Sequence, residues 1–139
     1  MTNQYLYSAS DYNILDINRK YLIKTKSLSA DITISINCIT ITRMVLAKVT
    51  GISNDGTHLP LNNIDDTQVR VPITSCYKDP IFAPVSTETI WDQMLIKPDN
   101  SYSRISVKLK KSSLYLIRFP YAEIPNAEGM VHIEVIETD

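Results

Sequence analysis

The chain of 139 residues holds only three glycines, two cysteines, two histidines and one tryptophan. Each scarcity removes a chemistry. Gly51, Gly56 and Gly129 are isolated, so neither a dinucleotide-binding fingerprint nor a phosphate loop can be written, since both need closely spaced glycines. No Gly-x-Ser-x-Gly elbow is present to expose a nucleophilic serine. Cys38 and Cys76 are too few and too far apart for a disulfide framework, which suits a reducing compartment, with a single bridge as the alternative. A zinc site would have to gather Cys38, Cys76, His58 and His132 from four segments with no paired spacing, and no metal or cofactor is expected.

Long apolar runs are missing as well. Met44-Val45-Leu46-Ala47 falls far short of the ~20 residues of a membrane helix. The polar start, Met1 to Tyr5, has no following apolar segment of the signal-peptide kind, so the expectation is a soluble protein of the cytoplasm or of a virion, without a membrane partner. No Asn-x-Ser/Thr acceptor occurs. Nor is one sign of charge in excess: 14 basic against 15 acidic residues leave a net charge of −1, which gives no global attraction to nucleic acid.

What remains is an ordinary globular composition, 44% hydrophobic and 21% charged, in a chain of one domain's length, 1–139. A chain of this size buries roughly 68% of its unfolded surface and needs no staple. Period-2 patterning dominates. Ile32, Ile34, Ile36 and Cys38 share one face, and the parity then flips to Ile39 and Ile41, which signals a bulge or a bend from one sheet to another. Met44–Ile52 leads through Asn54-Asp55-Gly56 to Thr57–Leu59 and reads as a hairpin on an Asp-Gly turn. Val69–Thr74 reads as a short strand at a sheet edge or at a bulge, because Pro72 cannot donate to a ladder, and Ser75–Ser86 as a long loop. Ser86–Leu95 is the one helix expected, with Ile90, Trp91, Met94 and Leu95 on a stripe and Ser86 as cap.

Further on, Ile105, Val107 and Leu109 match Phe119, Ile117 and Tyr115 as a hairpin across Lys111-Ser112-Ser113, and Met130–Ile136 is a half-buried last strand. Residues 1–18, with Tyr5, Tyr7 and Tyr12, suit an arm or an added edge strand. Many short strands without a βα repeat predict an all-β protein, an antiparallel β-sandwich or jelly-roll-like barrel with one short helix.

Function is reached by elimination. Arg104, Lys108, Lys110, Lys111 and Arg118 fall in the expected hairpin with no acid among them, and the segment after it carries Glu123, Glu128, Glu134, Glu137 and Asp139 with no Lys or Arg. These opposite signs suit either pairing across one sheet or a contact between identical subunits. Nucleic acid is not an expected partner, because no aromatic platform alternates with the basic residues. His58 and His132 lack a surrounding motif, and Asn62–Asp66 departs from the spacing of a calcium loop. Paired carboxylates such as Glu123 and Glu134 would be the requirement of a glycosidase, but no motif singles them out, and no enzyme is expected. The leading expectation is a non-enzymatic module that self-associates, as a homo-oligomer or in a larger protein assembly such as the capsid or tail of a phage or other virus. The alternative is a lectin-like module that binds glycan, with Tyr77, Trp91 and Tyr102 as stacking surfaces.

Overall fold

The computed structural model describes residues 3–38, 40–64, 67–68, 70–82, 87–95 and 103–138, with the backbone alone at Phe82. Thirteen strands follow in order: β1 (Gln4–Ile14), β2 (Lys20–Lys24), β3 (Ala30–Cys38), β4 (Thr42–Val49), β5 (Ile52–Asn54), β6 (Thr57–Leu59), β7 (Asn62–Asn63), β8 (Ser75–Lys78), β9 (Ile81–Phe82), β10 (Thr87–Leu95), β11 (Ser103–Leu109), β12 (Leu114–Ala122) and β13 (Glu128–Thr138). They form a five-stranded sheet, β11-β3-β13-β1-β7, a six-stranded sheet, β10-β4-β12-β2-β8-β6, and the small pair β5-β9. Every pairing is antiparallel.

The strands of five residues or more number eight, and their order names the topology. Counted along the chain, the first sheet runs first, eighth, third, sixth, and the second runs second, seventh, fourth, fifth. This interleaving is the double Greek key of a jelly roll, wrapped as a β-sandwich. Between the sheets lie Tyr7, Ile32, Ile34, Ile36, Val131, Ile133 and Val135 from one side and Tyr21, Ile23, Met44, Leu46, Tyr115, Ile117 and Phe119 from the other. Burying each such side chain contributes about 1.5–3 kcal/mol, so the alternation along β3 and β13 fixes which face turns inward. The last strand thus stands as expected.

The parity flip after Cys38 is a change of sheet: β3 belongs to the five-stranded sheet and β4 to the six-stranded one. Ile39 itself lies outside the described residues. Five other expectations are corrected. The Ser86–Leu95 helix is strand β10, paired with β4, and no helix occurs among the described residues. A bulge between Thr89 and Trp91 inserts Ile90, which places apolar residues side by side as a helix would, while Thr87, Thr89 and Ile90 favour extended backbone. Ser86 lies outside the described residues.

The Asp55-Gly56 turn forms, with Gly56 at φ +91° and its N–H donated to Asn54 Oδ1, but it joins no hairpin. β5 pairs β9 and β6 pairs β8, because the chain leaves the turn toward different neighbours. The expected long loop from Ser75 therefore carries β8 and β9, with residues 83–86 outside the described set. The expected strand over Val69–Thr74 is irregular at residues 70–74, where the Ile73 and Thr74 N–H groups donate to the Glu137 carboxylate instead of to a ladder. Val69 lies outside the described residues.

The hairpin of Ile105–Leu109 with Tyr115–Phe119 is also replaced. β11 pairs β3, and β12 pairs β4 and β2, so the two strands lie in opposite sheets of the sandwich. Matching apolar faces produce either arrangement, since packed sheets stand about 10 Å apart and a four-residue link spans that gap. Hydrogen bonds secure the crossing: Thr25 Oγ1 donates to the Lys110 carbonyl at 2.5 Å and accepts the Ser113 N–H at 3.0 Å, and Lys110 N–H donates to Tyr115 Oη at 2.9 Å.

Candidate functional site

Loss of the β11–β12 hairpin divides the basic strip. Arg104 and Lys108 lie on the outer face of β11, Lys110 and Lys111 lie in the crossing to β12, and Arg118 is exposed on the other sheet beside Asp92. The acids are divided too. Glu123 follows β12 in an exposed turn, Glu128 hydrogen-bonds the Tyr12 hydroxyl and holds that phenol above its usual range, and Glu134 is exposed on β13. Glu137 is 0% exposed and holds the 73–74 backbone, with Arg70 Nη2 at 3.8 Å, so it offers nothing to a surface contact. Asp139, Tyr102 and the Asp65-Asp66 part of the Asn62–Asp66 loop lie outside the described residues. Tyr77 stacks against His58 at 5.4 Å with Lys24 over its ring, and Trp91 is half-buried against the main core.

Two arrangements stand out from the rest of the surface. One is the flank where both sheets end, at β10 and β11. β10 pairs β4 along one edge, and among the described residues no strand pairs its other edge. Trp91 and Leu95 turn inward, whereas Ile90 and Met94 are 39% and 40% exposed. Arg43 straps the strand down, its Nε and Nη2 reaching the two Asp92 carboxylate oxygens at 2.8 and 2.5 Å. That fork holds the Asp92 carboxyl below its ordinary range and the Arg43 guanidinium above it. A depression of about 310 Å³ opens between the two sheet edges, lined by Trp91, Met94, Leu95 and Arg104.

The second is a row across the outer face of the five-stranded sheet. Register sets Ser10 of β1 beside His132 of β13, His132 beside Ser35 of β3, and Ser35 beside Arg104 of β11. Glu134 lies two residues along β13 on the same face. Ser10 Oγ is 2.6 Å from His132 Nδ1, and His132 Nε2 is 3.3 Å from Glu134 Oε1. A carboxylate only accepts, so Nε2 carries a proton, and in the neutral ring Nδ1 then accepts from the Ser10 hydroxyl. Arg104 Nε donates to Ser35 Oγ at 3.2 Å. The row floors a shallow depression of about 380 Å³, with Met130 at its side.

Of these residues, Arg104, His132 and Glu134 were visible in the sequence as charged or polar strand positions, but Ser10 and Ser35 were not. Ser10 and His132 are 122 residues apart, and only the register of β1 on β13 joins them. No protein-family model, no curated protein and no solved structure matches the chain.

Proposed function

We propose that the chain is a non-enzymatic assembly module in which β10 pairs with β10 of a second copy, as a homo-oligomer or within a larger assembly. The open edge of β10 carries this reading. Edge strands present unpaired N–H and C=O groups, and folds that stay monomeric blunt them with lysine, proline, bulges or a short strand. β10 is nine residues long, contains neither lysine nor proline, and carries a single bulge that leaves Ile90, like Met94, exposed. Its charges also suit one register. An antiparallel two-fold pairing centred on Trp91 sets Glu88 opposite Met94 and Asp92 opposite Ile90 of the second copy, whereas a shift to Ile90 would set Glu88 against Asp92. Jelly rolls occur in capsid and lectin domains, so a place in a phage or other viral particle is supported by analogy of fold alone.

Light scattering over a concentration series tests the reading. The expected mass exceeds the 15.8 kDa of one chain and changes little with salt, because the contact is main-chain and apolar. Ile90→Lys, a change at an exposed position, should return the mass to 15.8 kDa. A single-chain mass at every concentration, or a variant that assembles like the parent, overturns the proposal.

A further inference from the structure

We propose that the row Ser10, His132, Ser35 and Arg104, with Glu134, binds an acidic saccharide: a sugar ring that carries one carboxylate and several hydroxyls, as a hexuronate does. This inference does not rest on pairing through β10. Its basis is the hydrogen-bonding polarity of the row. Arg104 spends only its Nε on Ser35, and among the described residues no carboxylate lies within ion-pair distance of it. Its two terminal nitrogens therefore present a fork that fits a carboxylate with two parallel hydrogen bonds. Arg19, Arg43 and Arg70, by contrast, each have an acidic neighbour in Asp79, Asp92 and Glu137.

The other groups ask for hydroxyls. Glu134 has one oxygen on His132 and accepting capacity to spare, which a sugar hydroxyl can fill. Ser10 donates to His132 and so turns its lone pairs outward, while Ser35 accepts from Arg104 and keeps its own proton to donate. Glu134 also sets the ligand charge, because a dianion such as phosphate would meet it as a like charge in the same depression. Met130 supplies an apolar side for the C–H face of a ring. A volume of about 380 Å³ lies at the small end of ligand sites, which suits one or two rings.

The probes are sodium glucuronate, glucose and sodium acetate, each titrated into the full chain while backbone amide shifts are followed by NMR. Glucuronate should give a saturating response centred on residues 10, 35, 104 and 130–134, and should bind at least about tenfold more tightly than glucose or acetate. Arg104→Gln should weaken glucuronate about tenfold or more, and Ser10→Ala by a smaller factor, with the amide spectrum otherwise preserved. Ile90→Lys should leave glucuronate binding unchanged, so a failure of the assembly reading and a failure of this one give different results. Acetate binding as tightly as glucuronate overturns the proposal in favour of a bare carboxylate site. No response to glucuronate, or a response that Arg104→Gln leaves intact, overturns it outright.

Discussion

Glu137, at the far end of β13, accepts the backbone N–H of Thr74 at 2.5 Å although 63 residues separate them. The same carboxylate takes the Ile73 N–H at 3.0 Å, and Arg70, which covers it, stacks on the Tyr5 ring at 4.1 Å. One buried side chain thus anchors an irregular segment to the sandwich.

Glu137→Ala should therefore cost about 3–5 kcal/mol, since it leaves the Ile73 and Thr74 N–H groups without their acceptor and removes the buried charge beside Arg70. Glu137→Gln keeps one acceptor oxygen and should cost about half as much. Urea unfolding measures both; equal and small losses would show that the 70–74 segment is held by other means.

Alkaline pH should destabilise the fold. Burial pushes the Cys76 thiol up to about 12, and burial together with the hydrogen bond to Asp11 raises the Tyr21 phenol. An unfolded chain ionises these groups near their ordinary values of about 8.5 and 10, so above those values it sheds protons that the native state keeps. Their contribution is intact below pH ~8.5 and declines toward pH 12, by up to about 1.4 kcal/mol per pH unit for each group. The urea midpoint should fall between pH ~8 and pH ~10.5, and Cys76→Ala should flatten the early part of that fall.

Gly129 tolerates no side chain. A Cβ there would stand 2.6 Å from the Asn37 carbonyl oxygen and 2.7 Å from Leu15 Cδ1, so β13 and β3 would have to separate. Gly129→Ala should lower stability by about 1–3 kcal/mol. A thermal midpoint within about 1 °C of the parent would show that the two strands yield without cost.

Thr25 is tested by Thr25→Val, which keeps the shape and removes the hydroxyl. Its loss strands the Lys110 carbonyl and the Ser113 N–H at the crossing between sheets, at a cost of about 2–3 kcal/mol. Hydrogen exchange should speed up at Lys110 and Ser113 before it does in the core strands.

Legibility followed the range of the signal. The break between β3 and β4 showed in the flip of apolar parity, which in a half-buried strand requires a bulge or a change of sheet, and the change of sheet is what the fold adopts. β13 showed equally well in the alternation of Val131, Ile133 and Val135 against His132 and Glu134. β10 did not, since one inserted residue at its bulge gave Ile90 and Trp91 the spacing of a helix. The partner of β11 was hidden for a different reason: Ile105 and Val107 join the same core as Tyr115 and Ile117 whether the two strands share a sheet or lie in opposite sheets. The polar row escaped because two of its four members are serines, and only an order of strands that runs first, eighth, third, sixth brings them together.

That order has a consequence for synthesis. β1 matches β13 from Gln4 against Thr138 to Ile14 against Glu128, so its long neighbour is made after every other described strand of both sheets. Until β13 is made, the ladder partners of β1 among the described residues are the two residues of β7, and Tyr7 and Ala9 cannot be covered as they are in the finished sandwich. Completion of the five-stranded sheet must therefore wait until β13 has emerged from the ribosome, and until then the nascent chain carries an eleven-residue strand in need of a partner.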